Sequence, residues 1–133
     1  MVKIEKEIWN RIITHLQSGW PNEACGILGG KDGTATEVYP IANIDEKPKV
    51  RYLIDPQGQF QAVKDMRKRG LEMVAIFHSH PASPAYPSPT DVSLAYYPEA
   101  YYIIISLTNR QNPDAHAYRI LNNQITEHPI VIE

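Results

Sequence analysis

The segment "LEMVAIFHSHPASPAYPSPTD", residues 71–91, sets the tightest limit on how this chain folds. Its first half is apolar and reads as a central strand of a sheet. At His78 the pattern turns abruptly polar, and prolines follow at 81, 84, 87 and 89. Each proline fixes a φ angle and lacks a backbone N–H, so this stretch is a stiff loop rather than more strand. A chain with such a centre needs other strands beside it and helices over it.

The remaining patterns supply both. Ile4, Ile8, Ile12 and Leu16, with Trp9 and Ile13, recur at helical spacing and predict a helix over 4–18, stopped by Gly19. "ACGILGG" (24–30) reads as a short buried strand. "TATEVYPIAN" (34–43) alternates and reads as a second strand, joined to the first through the "KDG" turn at 31–33. "VRYLI" (50–54) suggests a third. Asp55 and Pro56 form a helix start, and the helix runs to about Arg69, burying Phe60, Val63 and Met66, with Gly70 as its cap. "PTDVSLAYY" (89–97) reads as a short helix ended by Pro98. "YYIIISL" (101–107), "AHAYRIL" (115–121) and "QITEHPIVIE" (124–133) read as strands, the last two joined at Asn122–Asn123. The expected fold is one domain over residues 1–133, in the α/β or α+β range: a mixed β-sheet flanked by about three helices.

Charge and composition exclude several classes of partner. The formal net charge is -2, and the one basic run, "KDMRKRG" (64–70), falls on a helical face. Neither nucleic acid nor an anionic membrane surface is indicated. The longest apolar run, residues 101–107, is too short to span a bilayer, and the N-terminus lacks the apolar core of a signal peptide. With Cys25 alone there is no internal disulfide, which fits a reducing cytoplasm. The sequence leaves the oligomeric state, monomer or homodimer, open.

Residues two apart on a strand face the same way, so His78 and His80 project together. Two neutral imidazoles on one face suit a divalent metal, zinc first. Asp91 is a candidate third ligand, held in the first turn of a helix by a Ser88 cap and Pro89. Three protein ligands leave a fourth position for water, the pattern of catalytic rather than structural zinc. Taken singly, a His-x-His pair, a Ser-Pro-x-Asp helix start and a proline loop are commonplace surface features. Taken together at this spacing, they favour a site.

His78-Ser79-His80-Pro81, six residues, Ser88, two residues and Asp91 match the pattern H-x-H-P-x6-S-x2-D. Upstream, "PNEACGILGG" provides Glu23 followed by Cys25, Gly26 and Gly29. In these motifs, and in the order of its elements over most of its length, the chain resembles the JAMM (MPN+) metalloprotease family. That resemblance implies zinc ligands at His78, His80 and Asp91, with Glu23 as general acid/base on the metal-bound water. It implies Ser88 as donor to the oxyanion formed from the scissile carbonyl. Cys25 could serve as a fourth ligand and close the site, but a small buried residue is its expected role. His15, His116 and His128 lack partners at ligand spacing and are expected to be structural or surface residues.

The short chain has no room for the insertions of the family's deubiquitinases, and its loop differs from that of the RadC branch. It is most similar to small bacterial members that process sulfur carriers. The implied partner is a ubiquitin-like sulfur-carrier protein of the ThiS/MoaD type, cut after its C-terminal Gly-Gly. The tail would add along a sheet edge, with "KPKVRYLI" (47–54) lining the groove. The alternative from another class is a zinc-containing module that binds ubiquitin-like tails without hydrolysis. A zinc deaminase would need a Pro-Cys-x-x-Cys pair, which a single cysteine excludes.

Overall fold

A computed structural model describes all 133 residues. The order is β1 (Val2–Ile4), α1 (Lys6–Gly19), β2 (Cys25–Lys31), β3 (Thr34–Ile41), α2 (Pro56–Lys68), β4 (Glu72–His80), α3 (Pro89–Ser93), β5 (Tyr101–Ser106), β6 (Asp114–Leu121), β7 (Gln124–His128) and β8 (Ile130–Ile132). The strands form one mixed sheet in the order β7-β6-β5-β4-β2-β3-β1-β8. β4 lies centrally, antiparallel to β2 and parallel to β5. β7 and β8 lie at opposite ends of this order, yet only Pro129 separates them in sequence. The sheet therefore curls until its edges adjoin, and the Val2 N–H donates to Pro129 O at 3.0 Å.

Each face of the sheet carries its own core. On one face, Ile8, Ile12 and Leu16 of α1 pack on Leu28, Phe77, Ile103 and Ile105. On the other, Ala62 and Met66 of α2 pack with Ile27, Ile76, Ile104 and Tyr118. The strand period carries Ile76, His78 and His80 along the α2 side and Phe77 and Ser79 along the α1 side. Glu72–His80 thus ends by presenting two histidines at the margin of the second core. No helix is long and apolar enough to cross a membrane.

Several expected elements differ. The first helix begins at Lys6, and Ile4 belongs to β1, which runs parallel to β3 and β8. A three-residue strand is too short to show alternation, and Ile4 stands four before Ile8, which mimics a helical repeat. Phe60 is 59% exposed; the buried residues of α2 are Ala62 and Met66, one turn apart, with Val63 half-buried beside them. Residues 50–54 form no strand; only Ile54 bridges, to Asn43, and the rest is a loop. The last helix stops at Ser93, and the Tyr97 N–H instead donates to the Tyr102 hydroxyl at 2.9 Å. Residues 124–133 break at Pro129 into two strands on opposite edges.

The turns follow their residues. Asp32 and Gly33 have φ of 52° and 76°, and Asn122 and Asn123 have 51° and 64°. Two successive positive φ angles are the type I′ signature, whose twist matches that of a hairpin. The Asp55 side chain accepts from the Gln57 N–H with Pro56 next to it, as a helix N-terminus requires.

Candidate active site

The histidine pair is buried. His78 is 1% and His80 4% exposed, and Asp91 at the start of α3 is 8% exposed. Their donor atoms converge: His78 Nε2 and His80 Nε2 lie 3.1 Å apart and 3.2 and 3.0 Å from Asp91 Oδ2. The Nδ1–H of His80 donates to Pro84 O at 2.7 Å. A carbonyl can only accept, so this bond fixes the proton on Nδ1 and leaves the Nε2 lone pair facing the site. Asp91 is fixed by a reciprocal cap: its N–H donates to Ser88 Oγ at 3.0 Å, and its Oδ2 accepts from the Ser88 N–H at 2.9 Å.

Glu23 reaches the same place from the segment between α1 and β2. Its carboxylate lies within 4.8 Å of a ring nitrogen of both His78 and His80. It is buried, and its Oε1 has no hydrogen-bond partner. Burial pushes the Glu23 carboxyl up to about 8; His80 opposes the rise, and Asp91 and Asp45 add to it. At Asp91 burial also works upward, but the bonds to His78 and His80 outweigh it and hold the group well below the usual carboxylate range. The five residues expected from sequence therefore do assemble: His78, His80 and Asp91 around one point, Glu23 beside them, and Ser88 bonded to Asp91.

Residues 5–121 match the family model described as prokaryotic homologs of the JAB domain. The chain belongs to this family. Over 129 residues this JAB-domain protein is 33% identical to the CysO-cysteine peptidase of Mycobacterium tuberculosis, covering 96% of this chain and 88% of that one. It is 33% identical over 105 residues to a desampylase of Haloferax volcanii, covering 74% and 76%. A solution structure of a Desulfitobacterium hafniense protein matches with a TM-score of 0.91 at 41% identity, covering 100% of this chain and 93% of that one. With these peptidase relatives, the JAB-domain protein is a JAMM-type hydrolase. Its mixed sheet with three helices is the JAMM/MPN fold, shared with a JAB1/MPN domain protein of Archaeoglobus fulgidus at a TM-score of 0.64 and 18% identity, covering 100% of this chain and 97% of that one.

The donor set of this JAB-domain protein fits a zinc ion. Bonds of 2.0–2.1 Å in a tetrahedron give ligand atoms a separation of ~3.3 Å. The three observed separations, 3.0–3.2 Å, are close to that edge. Three electron-pair donors at such range, largely withdrawn from water, are suited to a cation at their centre. Two buried atoms without partners, Glu23 Oε1 and His78 Nδ1, lie in the same cluster.

Cys25 pairs with His78 across β2 and β4, but it is no ligand candidate. Its thiol contacts Ile41 O at 3.5 Å, and burial, with Glu23 adding, pushes it up to about 12. It is the small buried residue expected. His15 is structural, its Nε2–H donating to Cys25 O at 2.9 Å.

Three supporting residues were not singled out in the sequence. Ser79, fully buried, accepts from the Ala24 N–H at 2.9 Å, and its own N–H donates to Ala24 O at 3.0 Å. These bonds bind the end of β4 to the residue after Glu23. Asn43 donates to Glu23 O at 2.9 Å and accepts from the Asp45 and Leu53 N–H groups at 3.0 Å each. Tyr52 stacks on His78 with ring centroids 4.3 Å apart. Ser79 had a signal: a polar residue between two ligands on a strand must point into the opposite core. Asn43 had none. Tyr52 lies in the 47–54 segment read as lining a groove, but its stack on His78 depends on a loop path that local pattern does not set.

Proposed function

We propose that this protein is a zinc-dependent peptidase that hydrolyses the bond after the C-terminal Gly-Gly of a ubiquitin-like sulfur-carrier protein in the cytoplasm. One observation carries the reading: three buried donors, His78 Nε2, His80 Nε2 and Asp91 Oδ2, meet within 3.2 Å, with an unpartnered glutamate beside them. His78, His80 and Asp91 would hold the ion. When bound, zinc supplies a Lewis acid that polarises a carbonyl and acidifies water.

Glu23 holds and moves the proton. Its carboxylate stands beside the donor cluster with Oε1 free of any partner, so it is placed to take up and release a proton there. Oε1 accepts the proton of the attacking water and returns it to the leaving amine. Ser88 steadies the developing charge. Its Oγ accepts from the Asp91 N–H, which leaves the hydroxyl hydrogen to donate to the oxyanion. Tyr52 orients the His78 ring from behind by stacking.

The substrate class draws support from relatives. Besides the CysO-cysteine peptidase and the desampylase, a Thermus thermophilus protein named as a probable TtuB-protein conjugate cleaving protease is 37% identical over 89 residues, covering 67% of this chain and 60% of that one. A cleft of about 240 Å³, lined by Ile27, Tyr52, Leu53, Ile54, Tyr96 and Tyr97 among others, begins at the ring that stacks on His78.

The test is metal content together with cleavage of a carrier–cysteine fusion, wild type against Glu23→Gln. One zinc per chain and cleavage after Gly-Gly by the wild type, with a metal-loaded but inactive variant, is the expected result. Full activity in Glu23→Gln would overturn the proton role. Tail binding without turnover by the wild type would overturn the peptidase reading.

A further inference from the structure

The proline loop between β4 and α3 is poor in its own hydrogen-bond donors, because Pro81, Pro84 and Pro87 lack an N–H. Three of its consecutive carbonyls are nevertheless bonded by side chains from three adjacent strands. Ser106 of β5 donates to Ser83 O at 2.7 Å. His80 of β4 donates to Pro84 O at 2.7 Å. Tyr118 of β6 donates its hydroxyl to Ala85 O. The two outer donors are 23 and 33 residues away in sequence, and both are buried.

The middle bond sets the chemistry. Pro84 O fixes the proton on His80 Nδ1 and turns the Nε2 lone pair toward His78 and Asp91. A carbonyl on a mobile loop would be a poor reference for that ring. Only one local N–H, from Tyr86 at 2.9 Å, also reaches Pro84 O. The flanking peptides are held from outside the loop. Ser106 stands in register beside His80 on the neighbouring strand, so the same sheet geometry places both the histidine and the first pin. Tyr118 is packed within the second core and meets Tyr86 edge to face at 5.6 Å, so the second pin is equally rigid.

We propose that Ser106 and Tyr118 are positioning residues for the metal site: by clamping Ser83 O and Ala85 O they hold Pro84 O where it fixes the tautomer and aim of His80. This rests on the reading of His80 as a metal ligand. Removing an outer partner of a ligating histidine typically lowers metal affinity ~10–100-fold. Here the partner is a carbonyl, so its own supports are expected to carry part of that effect.

The experiment compares wild type with Ser106→Ala, Tyr118→Phe and the double variant. Zinc affinity is read by competition with a chromophoric chelator. The tautomer of His80 is read in metal-free protein by long-range proton–nitrogen NMR. Tyr102→Phe is the control: it too removes a buried hydroxyl, one that accepts from the Tyr97 N–H and does not touch the loop. The expected result is a fall in zinc affinity of ~10-fold or more in the double variant, with mixed protonation of His80 and neither change in the control. Unchanged affinity and an unchanged His80 tautomer in the double variant would overturn the proposal. So would an equal loss in Tyr102→Phe, which would mark the effect as general loosening. A wild type that binds no zinc would instead sink the metal reading, and the tautomer measurement, which needs no metal, would still decide the role of the clamps.

Discussion

His116, on the outer strand β6, holds a carboxylate at each ring nitrogen: Nδ1 donates to Glu127 Oε2 at 2.7 Å and Nε2 to Asp114 Oδ2 at 3.1 Å. His78 and His80, on the central strand β4, share the single oxygen Asp91 Oδ2 at 3.2 and 3.0 Å. Residue types and distances are nearly the same in the two clusters. Depth and direction are not. The His116 side chain is 36% exposed and its partners more so, and its two bonds point apart. Protons and water satisfy that arrangement completely. The β4 cluster is largely withdrawn from water, and its donor atoms point at one another. Only a shared proton or a cation satisfies that. Convergence under burial, rather than the presence of histidine beside acid, marks a site.

The contrast breaks or holds on the carboxylates. Asp91→Ala is expected to abolish zinc binding and to lower turnover by at least ~10³-fold, because a bound Lewis acid contributes several kcal/mol and 1.4 kcal/mol is tenfold. Asp114→Ala is expected to leave both unchanged. Metal analysis and cleavage assays on the pair decide it, and equal losses would show that depth is not the distinguishing property. Next in size is Glu23→Gln. It is expected to retain zinc and lose ~10²–10⁴-fold in turnover, the worth of a positioned general base. Loss of metal from this variant would make Glu23 a ligand instead.

Much of this contrast is legible in the sequence. The strand period puts His78 and His80 on one face, and Ser88-Pro89 at a helix start holds Asp91, because both depend on local backbone geometry alone. The central strand, the two type I′ turns and the start of α2 are readable for the same reason. What could not be read depends on distant chain. Ile4 looks helical because nothing local reveals that a three-residue strand will pair with β3 and β8. Phe60 looks buried by type, but the face of α2 that meets the sheet is chosen by Ala62 and Met66. The loop carrying Tyr52 has no period at all, so its contact with His78 is visible only after folding. The approach of Glu23 to the histidines is likewise tertiary; from the sequence it came only through resemblance.

A smaller effect sharpens the division of labour inside the buried cluster. Ser88 accepts from the Asp91 N–H and keeps a hydroxyl hydrogen to give. Ser88→Ala removes both, so it is expected to cost ~1 kcal/mol of stability through the lost cap and ~10²–10³-fold in kcat through the lost oxyanion donor. Ser88→Thr keeps the hydroxyl and is expected to recover most of both. A loss of stability alone, with kcat and KM both unchanged, would reduce Ser88 to a cap.

The smallest expected effect belongs to the exposed cluster and carries a sign. Glu127 raises the His116 pKa above its ordinary value, with partial burial opposing and Asp114 adding to the rise. A raised folded-state pKa means that the folded chain holds the proton more tightly than the unfolded one. The stabilisation is then complete below the unfolded value of ~6.5 and disappears as pH rises through the folded value. An exposed pair of this kind contributes ~0.2–1 kcal/mol. His116→Ala is thus expected to lower the urea midpoint slightly near pH 5.5 and to match wild type near pH 9, with zinc content unaffected at both. A deficit that persisted undiminished at high pH would mean that His116 stabilises the hairpin by packing, on the 6.4 Å stack with Tyr118, and not by its charge.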